Sequence, residues 1–172
     1  WLTVAQERLE VWRDAMRKQK ATNEQAQRAR QVSNIYTAAS DTILAGIYAD
    51  VEKDFASLYG FVNRDDEDRF KAQLVPSMGK LGFDVDFYGR GFFPPGAYHS
   101  EGHQDSMGVC LFLALNEELS KGKVDLVVLD DVIMSVDTGH RKDVCGLLRE
   151  KFSGRQFVIT THDKTWAKQL KQ

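Results

Sequence analysis

The sequence predicts an α/β protein with a parallel sheet, flanking helices and a long N-terminal helix. Two apolar runs, residues 124–129 and 156–160, have the length and composition of strands, and a helical segment follows each. Strands that alternate with helices through short loops are typical of parallel sheets. Polar residues follow both strands, at the edge where open α/β sheets bind their ligands.

Composition is that of an ordinary globular protein. The 172 residues are 42% hydrophobic and 28% charged, and the formal net charge of −2 gives no overall attraction to nucleic acid or membrane. No apolar run is long enough to cross a membrane and no signal peptide is recognisable, so we expect a cytoplasmic protein. Because the chain starts at Trp1 within a helical pattern, we expect it to be part of a longer protein.

The two cysteines, Cys110 and Cys145, both lie in apolar, helix-like segments. A disulfide or a metal knot would require a different setting and spacing. We therefore predict buried free thiols in a reducing compartment.

The first 34 residues are predicted to form a coiled-coil arm. Residues 1–30 contain no Gly or Pro. Residues at alternating steps of three and four form a seam that becomes more polar along the chain. These are Leu2, Ala5, Leu9, Trp12, Met16, Gln19, Asn23 and Ala26. Seven basic and four acidic residues give this segment a net charge of +3. That charge indicates a solvated helix face or, as the alternative, contact with a nucleic-acid backbone.

A broader apolar stripe over residues 35–59 predicts a helix packed on a globular body. We assign that body to residues 35–172, and expect one long helix, or two in series, to run into it from the arm. Gly60 is expected to end this helix. Residues 63–68 read as an acidic turn or a short helical start. Residues 70–75 and 81–88 read as strands, and the Gly- and Pro-rich residues 89–98 as a loop.

A polar segment, residues 100–108, precedes an apolar helical segment that reaches Leu119. We expect the polar segment to be a loop. Its position before a helix makes it a candidate anion site, because the first N–H groups of a helix are free. The alternative is a simple helix cap. Further helices are predicted over residues 140–152 and 164–171.

Two adjacent carboxylates, Asp130 and Asp131, end the first apolar strand. We expect this strand to be buried on both faces, as central strands of parallel sheets are. Neighbouring strand residues point to opposite sides, so the two acids should have different roles, one at a metal and one at a reacting group. An Asp-rich turn is the alternative. His162 follows the second strand, and its position favours a functional edge.

Four segments in this order resemble the C-terminal lobe of an ABC-type ATPase head, a P-loop NTPase fold. The resemblance is to the SMC, RecF, RecN and SbcC branch, in which a coiled-coil arm interrupts the head. Residues 100–104, SEGHQ, resemble the signature loop, and residues 127–131, VVLDD, resemble the Walker B strand. Residues 135–137, SVD, resemble the D-loop, and residues 161–163, THD, resemble the switch-histidine loop.

The resemblance implies ATP and Mg²⁺ as cofactors and a role for each matched residue. Asp130 would hold Mg²⁺ through water, Asp131 would act as general base, and His162 would contact the γ-phosphate or the attacking water. The remaining matched residues would contact nucleotide bound mainly to a second head, so that ATP joins two heads. They are Ser100, Gly102, His103 and Asp137.

Three positions depart from the family pattern. Glu101 stands in place of a Gly, His103 in place of a Gln, and Asp131 in place of a Glu. From these we expect slow hydrolysis. No GxxxxGK[ST] phosphate loop occurs in the sequence. We therefore expect an N-terminal lobe carrying that loop to complete the ATPase.

Other readings of the same residues are weaker. His99, His103 and Cys110 suggest a zinc site, but zinc sites usually have a fuller ligand set. A Ser-His-Asp hydrolase assembled from Ser100, His162 and Asp130 lacks the GxSxG nucleophile elbow. The three tryptophans are expected to pack rather than stack on bases. They are Trp1, Trp12 and Trp166.

Two classes of function remain. The first is a Mg-dependent ATPase head that dimerises on ATP and acts on DNA, in repair, chromosome organisation or anti-phage defence. Its expected partners are the N-terminal lobe, a second head, DNA and accessory subunits, with no membrane; a bacterial protein would be nucleoid-associated. The second is a non-hydrolysing structural head that binds nucleotide or a partner protein to hold a complex together.

Overall fold

A computed structural model of the chain describes residues 1–64, 69–77, 80–86, 89–121, 125–133, 135–136 and 138–171. Contacts divide the chain into two units, Trp1–Gly46 and Ile47–Gln172. The boundary predicted after residue 34 lies within the first unit. Helix α1, Leu2–Val62, includes residues of both units. It ends at Val62, so Gly60 is a helical residue and not the end signal that the sequence predicted.

The first unit is a helix whose side chains are exposed, apart from the half-buried Ser40. The predicted seam is among them, and Trp1 and Trp12 are exposed rather than packed. Trp166, in the second unit, is buried as predicted. Within the described part of the chain, no helix is both long and apolar enough to span a membrane.

The second unit buries the C-terminal part of α1. The broad stripe is buried or half-buried from Ile47 onward, whereas Ile35 and Ile43 are exposed. Phe55 is at the centre of this contact, with its ring 5.5 Å from the rings of Phe70 and Phe83 in edge-on geometry. Aromatic burial of this kind fixes residues 47–62 of α1 against the first sheet.

That sheet is antiparallel, with the order β1 (Lys71–Ser77), β2 (Lys80–Asp86) and β3 (Phe92–Phe93). The predicted loop over residues 89–98 was therefore wrong in part, because β3 and a 3₁₀ turn at Pro95–Ala97 fall within it. Pairing with Val85 and Asp86 gives the short β3 its strand geometry.

The remaining elements follow the predicted order. They are α2 (Glu101–Ser120), β4 (Leu126–Asp130), α3 (Thr138–Lys151), β5 (Gln156–Thr160) and α4 (Lys164–Leu170). Strands β4 and β5 are parallel, with Asp130 opposite Thr160. Cys110 and Cys145 are free and buried, as predicted.

Burial on both faces of β4 was wrong for this chain. Val127 and Leu129 are buried, but Leu126 and Val128 are 46% and 56% exposed, and Val158 on β5 is 45% exposed. The described part of the chain covers only one face of the parallel pair, so the other face presents apolar side chains to solvent. Val124, the first residue of the predicted strand, lies outside the described residues.

Candidate active site

The carboxyl ends of β4 and β5 bring the predicted acidic residues together with polar groups of β5. The parallel register places Asp130 opposite Thr160, whose hydroxyl donates a hydrogen bond to the Asp130 carboxylate. The backbone N–H of Asp131 donates to the Thr160 carbonyl oxygen at 3.1 Å. Both acids are thus held at one edge of the sheet, as the sequence predicted.

Asp131 leaves the strand in an unusual backbone conformation, with φ of 52°. This left-handed region costs a non-glycine residue about 1 kcal/mol or more, and Asp tolerates it better than most residues. Because Asp131 is outside the strand, simple alternation along β4 does not set its direction. The two acids nevertheless have different partners, in keeping with the different roles expected of them.

The partner of Asp131 is His162. Nδ1 of His162 lies 2.8 Å from Oδ2 of Asp131, and the two side chains are 64% and 39% exposed. The contact orients the imidazole with Nε2 on the far side of the ring from the carboxylate. This arrangement can accept a proton at the carboxylate and present a ring nitrogen to an incoming group.

The predicted signature loop is helical in the structure. Ser100 is the N-cap of α2, which begins at Glu101, and the Ser100 hydroxyl accepts a hydrogen bond from the His103 N–H at 3.4 Å. The Ser100 hydroxyl also lies 2.8 Å from Nδ1 of His103. The loop prediction for residues 100–108 was wrong because this cap starts the helix early. The N–H groups without a partner inside the helix are consequently those of Ser100, Glu101 and Gly102.

Gly102 packs tightly on the segment that follows β4. A Cβ atom at this position would lie 2.7 Å from the Ser135 carbonyl oxygen. The carboxylate of Asp105 accepts a hydrogen bond from the Ser135 N–H at 3.0 Å. The first turns of α2 and the segment after β4 are therefore one packed structure that requires Gly at position 102.

A cavity of about 410 Å³ opens where α2 begins. Three of the predicted binding residues, Ser100, Gly102 and His103, line it. Asp137, the fourth, lies outside the described residues. The imidazole rings of His103 and His140 are 5.8 Å apart between their centres. This cavity is the predicted anion-binding place, and it lies at a different segment from the Asp131–His162 pair.

Sequence reasoning missed two residues of this cavity. His140 was read as a residue of the helix start, and Asn63 as part of an acidic turn, but both line the cavity. Asn63 is buried, and its amide donates to the Tyr59 carbonyl oxygen at 3.1 Å. A polar residue directly after a buried apolar stripe was the available signal, but only the tertiary fold shows what it faces.

The competing readings receive no support from the geometry. Ser100 contacts His103 rather than His162, and His162 contacts Asp131 rather than Asp130. Across the described residues, no group of three potential metal ligands is close enough to hold an ion. Cys110 is fully buried, and this burial raises the pKa of its thiol, which disfavours a metal-binding thiolate.

His99 stays close to the cavity as a neighbour of His103, with 6.1 Å between ring centres. Partial burial lowers the pKa of His99, and the nearby His103 lowers it further, against the raising effect of a hydrogen bond with the Pro95 carbonyl oxygen. A neutral His99 is therefore favoured at neutral pH.

These elements make an α/β lobe with a long N-terminal helix, a parallel strand pair and flanking helices. Comparison with solved structures specifies the fold further: it is similar to that of SMC head domains. No protein-family model and no curated protein matches the sequence.

Three solved structures illustrate the likeness. One, reported for "ATP-driven dimerization and DNA stimulated activation of SMC ATPases", has a TM-score of 0.59 and 14% identity over 74% of this chain and 76% of its own. An Smc head bound to the C-winged helix domain of ScpA has a TM-score of 0.55 and 14% identity, over 71% of this chain and 37% of its own. The Smc head of Pyrococcus yayanosii with its coiled coil and joint has a TM-score of 0.59 and 15% identity, over 79% and 26%.

Proposed function

We propose that this chain is the C-terminal part of an ATPase head that binds ATP with Mg²⁺ at a head–head interface and hydrolyses it. The observation that carries the proposal is the Asp131–His162 pair, 2.8 Å apart at the carboxyl ends of two parallel strands in an SMC-like head fold. Phosphoryl transfer needs mainly charge neutralisation and a positioned nucleophile, and this pair can supply the second.

Each residue of the strand edge has a role in this proposal. Asp131 accepts the proton of the attacking water, and His162, oriented by Asp131, offers Nε2 to the γ-phosphate or to that water. Asp130, an exposed carboxylate beside the Thr160 hydroxyl, would hold Mg²⁺ through water. A single carboxylate fits this ion, because Mg²⁺ keeps several waters and takes its other ligands from nucleotide phosphates. When bound, the ion neutralises charge on the phosphates.

The cavity at the start of α2 has a separate role, at the nucleotide of the facing head. Ser100, the backbone N–H of Gly102 and His103 would contact its γ-phosphate. A nucleotide contact for Asp137 is proposed from the motif resemblance alone. The support is that Ser100, Gly102 and His103 line one cavity at the positive end of a 20-residue helix. In this proposal the functional unit is a homodimer of heads.

An N-terminal lobe with the phosphate loop is the expected cover of the exposed sheet face. Leu126, Val128 and Val158 present apolar surface there, which globular proteins normally bury. We propose residues 1–34 as the returning helix of a coiled-coil arm that joins the two lobes. Its exposed apolar seam fits a partner helix.

Action on DNA is the further part of this proposal, with accessory subunits riding on the heads. The net charge of +3 over residues 1–34 supports contact with phosphates. ATP turnover by the full-length protein, with and without double-stranded DNA, tests this at about 50 and about 200 mM salt. We expect DNA to stimulate turnover and the stimulation to fade at the higher salt concentration. Turnover that is indifferent to DNA would contradict DNA action and indicate a protein partner as the trigger.

The second candidate function is a structural head that binds nucleotide without hydrolysis. Glu101 favours it, because this acidic residue lines the cavity at the start of α2, where a phosphate would bind. Asp131 also favours it, because its side chain is one methylene shorter than the Glu of the family pattern. Bound ATP with no measurable turnover in the same assay would select this alternative.

A further inference from the structure

Arg141, a residue of none of the predicted motifs, joins the segments that follow the two parallel strands. It is the fourth residue of α3. Its Nε donates to the carbonyl oxygen of Val136, after β4, at 2.6 Å. Its Nη1 forms an ion pair with the carboxylate of Asp163, after β5. The planar guanidinium allows one side chain to hold both partners at once.

Asp163 is itself held at several points. Its Oδ1 accepts hydrogen bonds from the N–H groups of Thr165 at 2.7 Å and Trp166 at 3.0 Å, so it caps α4. The Trp166 N–H and the Arg141 guanidinium hold the pKa of this carboxyl below its ordinary value. Since Asp163 directly follows His162, fixing Asp163 restricts the backbone that presents the imidazole to Asp131.

The other end of the link reaches the start of α2. Val136 follows Ser135. The Ser135 N–H donates to the Asp105 carboxylate, and Gly102 packs closely against the Ser135 carbonyl oxygen. A continuous series of contacts thus runs from the signature segment through Ser135, Val136 and Arg141 to Asp163. It connects the cavity proposed for the facing head's nucleotide with the loop that carries His162.

We propose that Arg141 is a positioning residue that keeps His162 in contact with Asp131. It does so by linking the loop that carries His162 to residues 135–136, which pack against the start of α2. The side chain of Arg141 is 15% exposed and that of Asp163 is 34% exposed, so the pair is partly shielded from water. Removing either Arg141 or Asp163 leaves the other charge poorly solvated and allows the loop that carries His162 to move. Small displacements of catalytic groups slow reactions strongly. The inference rests on the proposed function where ATP turnover is measured. Its structural test, amide hydrogen exchange of the two loops, does not depend on that function.

The experiment compares variants of the full-length protein. Arg141→Gln removes the charge that pairs with Asp163. Arg141→Lys keeps a positive charge but lacks the planar guanidinium that contacts Val136 and Asp163 at once. Asp163→Asn breaks the ion pair while keeping a good N-cap, so it serves if Arg141→Gln does not fold. The matched control is Arg149→Gln, an arginine of the same helix whose Nη2 donates to the Gln169 carbonyl oxygen away from the site.

Two quantities are measured for each variant: ATP turnover together with ATP affinity, and amide hydrogen exchange around Ser135 and His162. For Arg141→Gln we expect kcat to fall roughly ten- to a hundredfold with ATP affinity little changed, and exchange to rise in both segments. Arg141→Lys should restore part of the rate. Arg141→Gln combined with Asp163→Asn should be no slower than Arg141→Gln alone, because the two residues act as one link. Arg149→Gln should keep normal turnover.

Wild-type exchange at both segments in Arg141→Gln overturns the inference, as does a loss of turnover that Arg149→Gln shares. Failure of the proposed function gives a different result. If the wild-type protein binds ATP and does not hydrolyse it, the ATPase proposal fails, and exchange alone decides on Arg141. Faster exchange confined to the Arg141 and Asp163 variants then supports the link, and unchanged exchange refutes it.

Discussion

At the scale of single residues, the site depends on a backbone conformation that no sequence pattern indicates. Asp131 adopts φ of 52°, and this turns its carboxylate out of the strand and onto His162. The sequence predicted that Asp130 and Asp131 would serve different roles from alternation along a strand. The structure gives them different partners for another reason, because Asp131 is no longer part of the strand.

Gly102 gives a prediction at this scale. Gly102→Ala would place a Cβ 2.7 Å from the Ser135 carbonyl oxygen, so α2 or the segment after β4 must shift. We expect about 1–3 kcal/mol of destabilisation, by chemical unfolding, and reduced nucleotide-dependent dimerisation. The control is Gly108→Ala in the same helix, where a Cβ meets no atom within 4 Å. It should stabilise the protein by about 0.5–1 kcal/mol. Equal effects of the two variants would refute the tight contact.

At the scale of elements, periodicity predicted the positions of most helices and strands well. It predicted the start of α2 and the burial of β4 less well. The β5 bounds were predicted correctly because an apolar run ends at polar residues on both sides. The start of α2 was missed, since residues 100–108 look like a loop until Ser100 is seen to cap the helix. The burial of β4 was wrong because a run of apolar residues does not reveal whether this chain covers both faces.

Helix α1 gives the prediction at this scale, because one stripe of apolar residues has two environments. Phe55 is fully buried between Phe70 and Phe83, and Ile43, three turns earlier on the stripe, is 64% exposed. Phe55→Ala should lower the free energy of unfolding of the head by about 3–5 kcal/mol. Ile43→Ala should change it by less than about 0.5 kcal/mol. A large effect of Ile43→Ala in denaturant unfolding would show that the exposed part of the stripe packs on the head.

At the scale of the whole molecule, the sequence predicted the fold more completely than it predicted the residues around the site. Four short motifs in order indicated an SMC-like head, and comparison with solved structures confirms the head fold. Among the described residues, groups that the motifs named lie at the strand edge and at the start of α2, and their roles stay a prediction. The motifs did not indicate Asn63, His140 or Arg141, because the cavity and the Arg141–Asp163 ion pair bring together residues that are distant in sequence.

The most direct test of the proposed catalytic site is ATP turnover by the full-length protein carrying Asp131→Asn. ATP-dependent dimerisation is followed in parallel. The variant keeps the shape of the side chain and removes the base, so turnover should fall by about a hundredfold or more while dimers on ATP persist. Asp125→Asn, at the exposed residue that precedes β4, is the matched control and should keep the wild-type rate. Unchanged turnover in Asp131→Asn would contradict the role of Asp131 and, with it, the catalytic site proposed at the ends of β4 and β5.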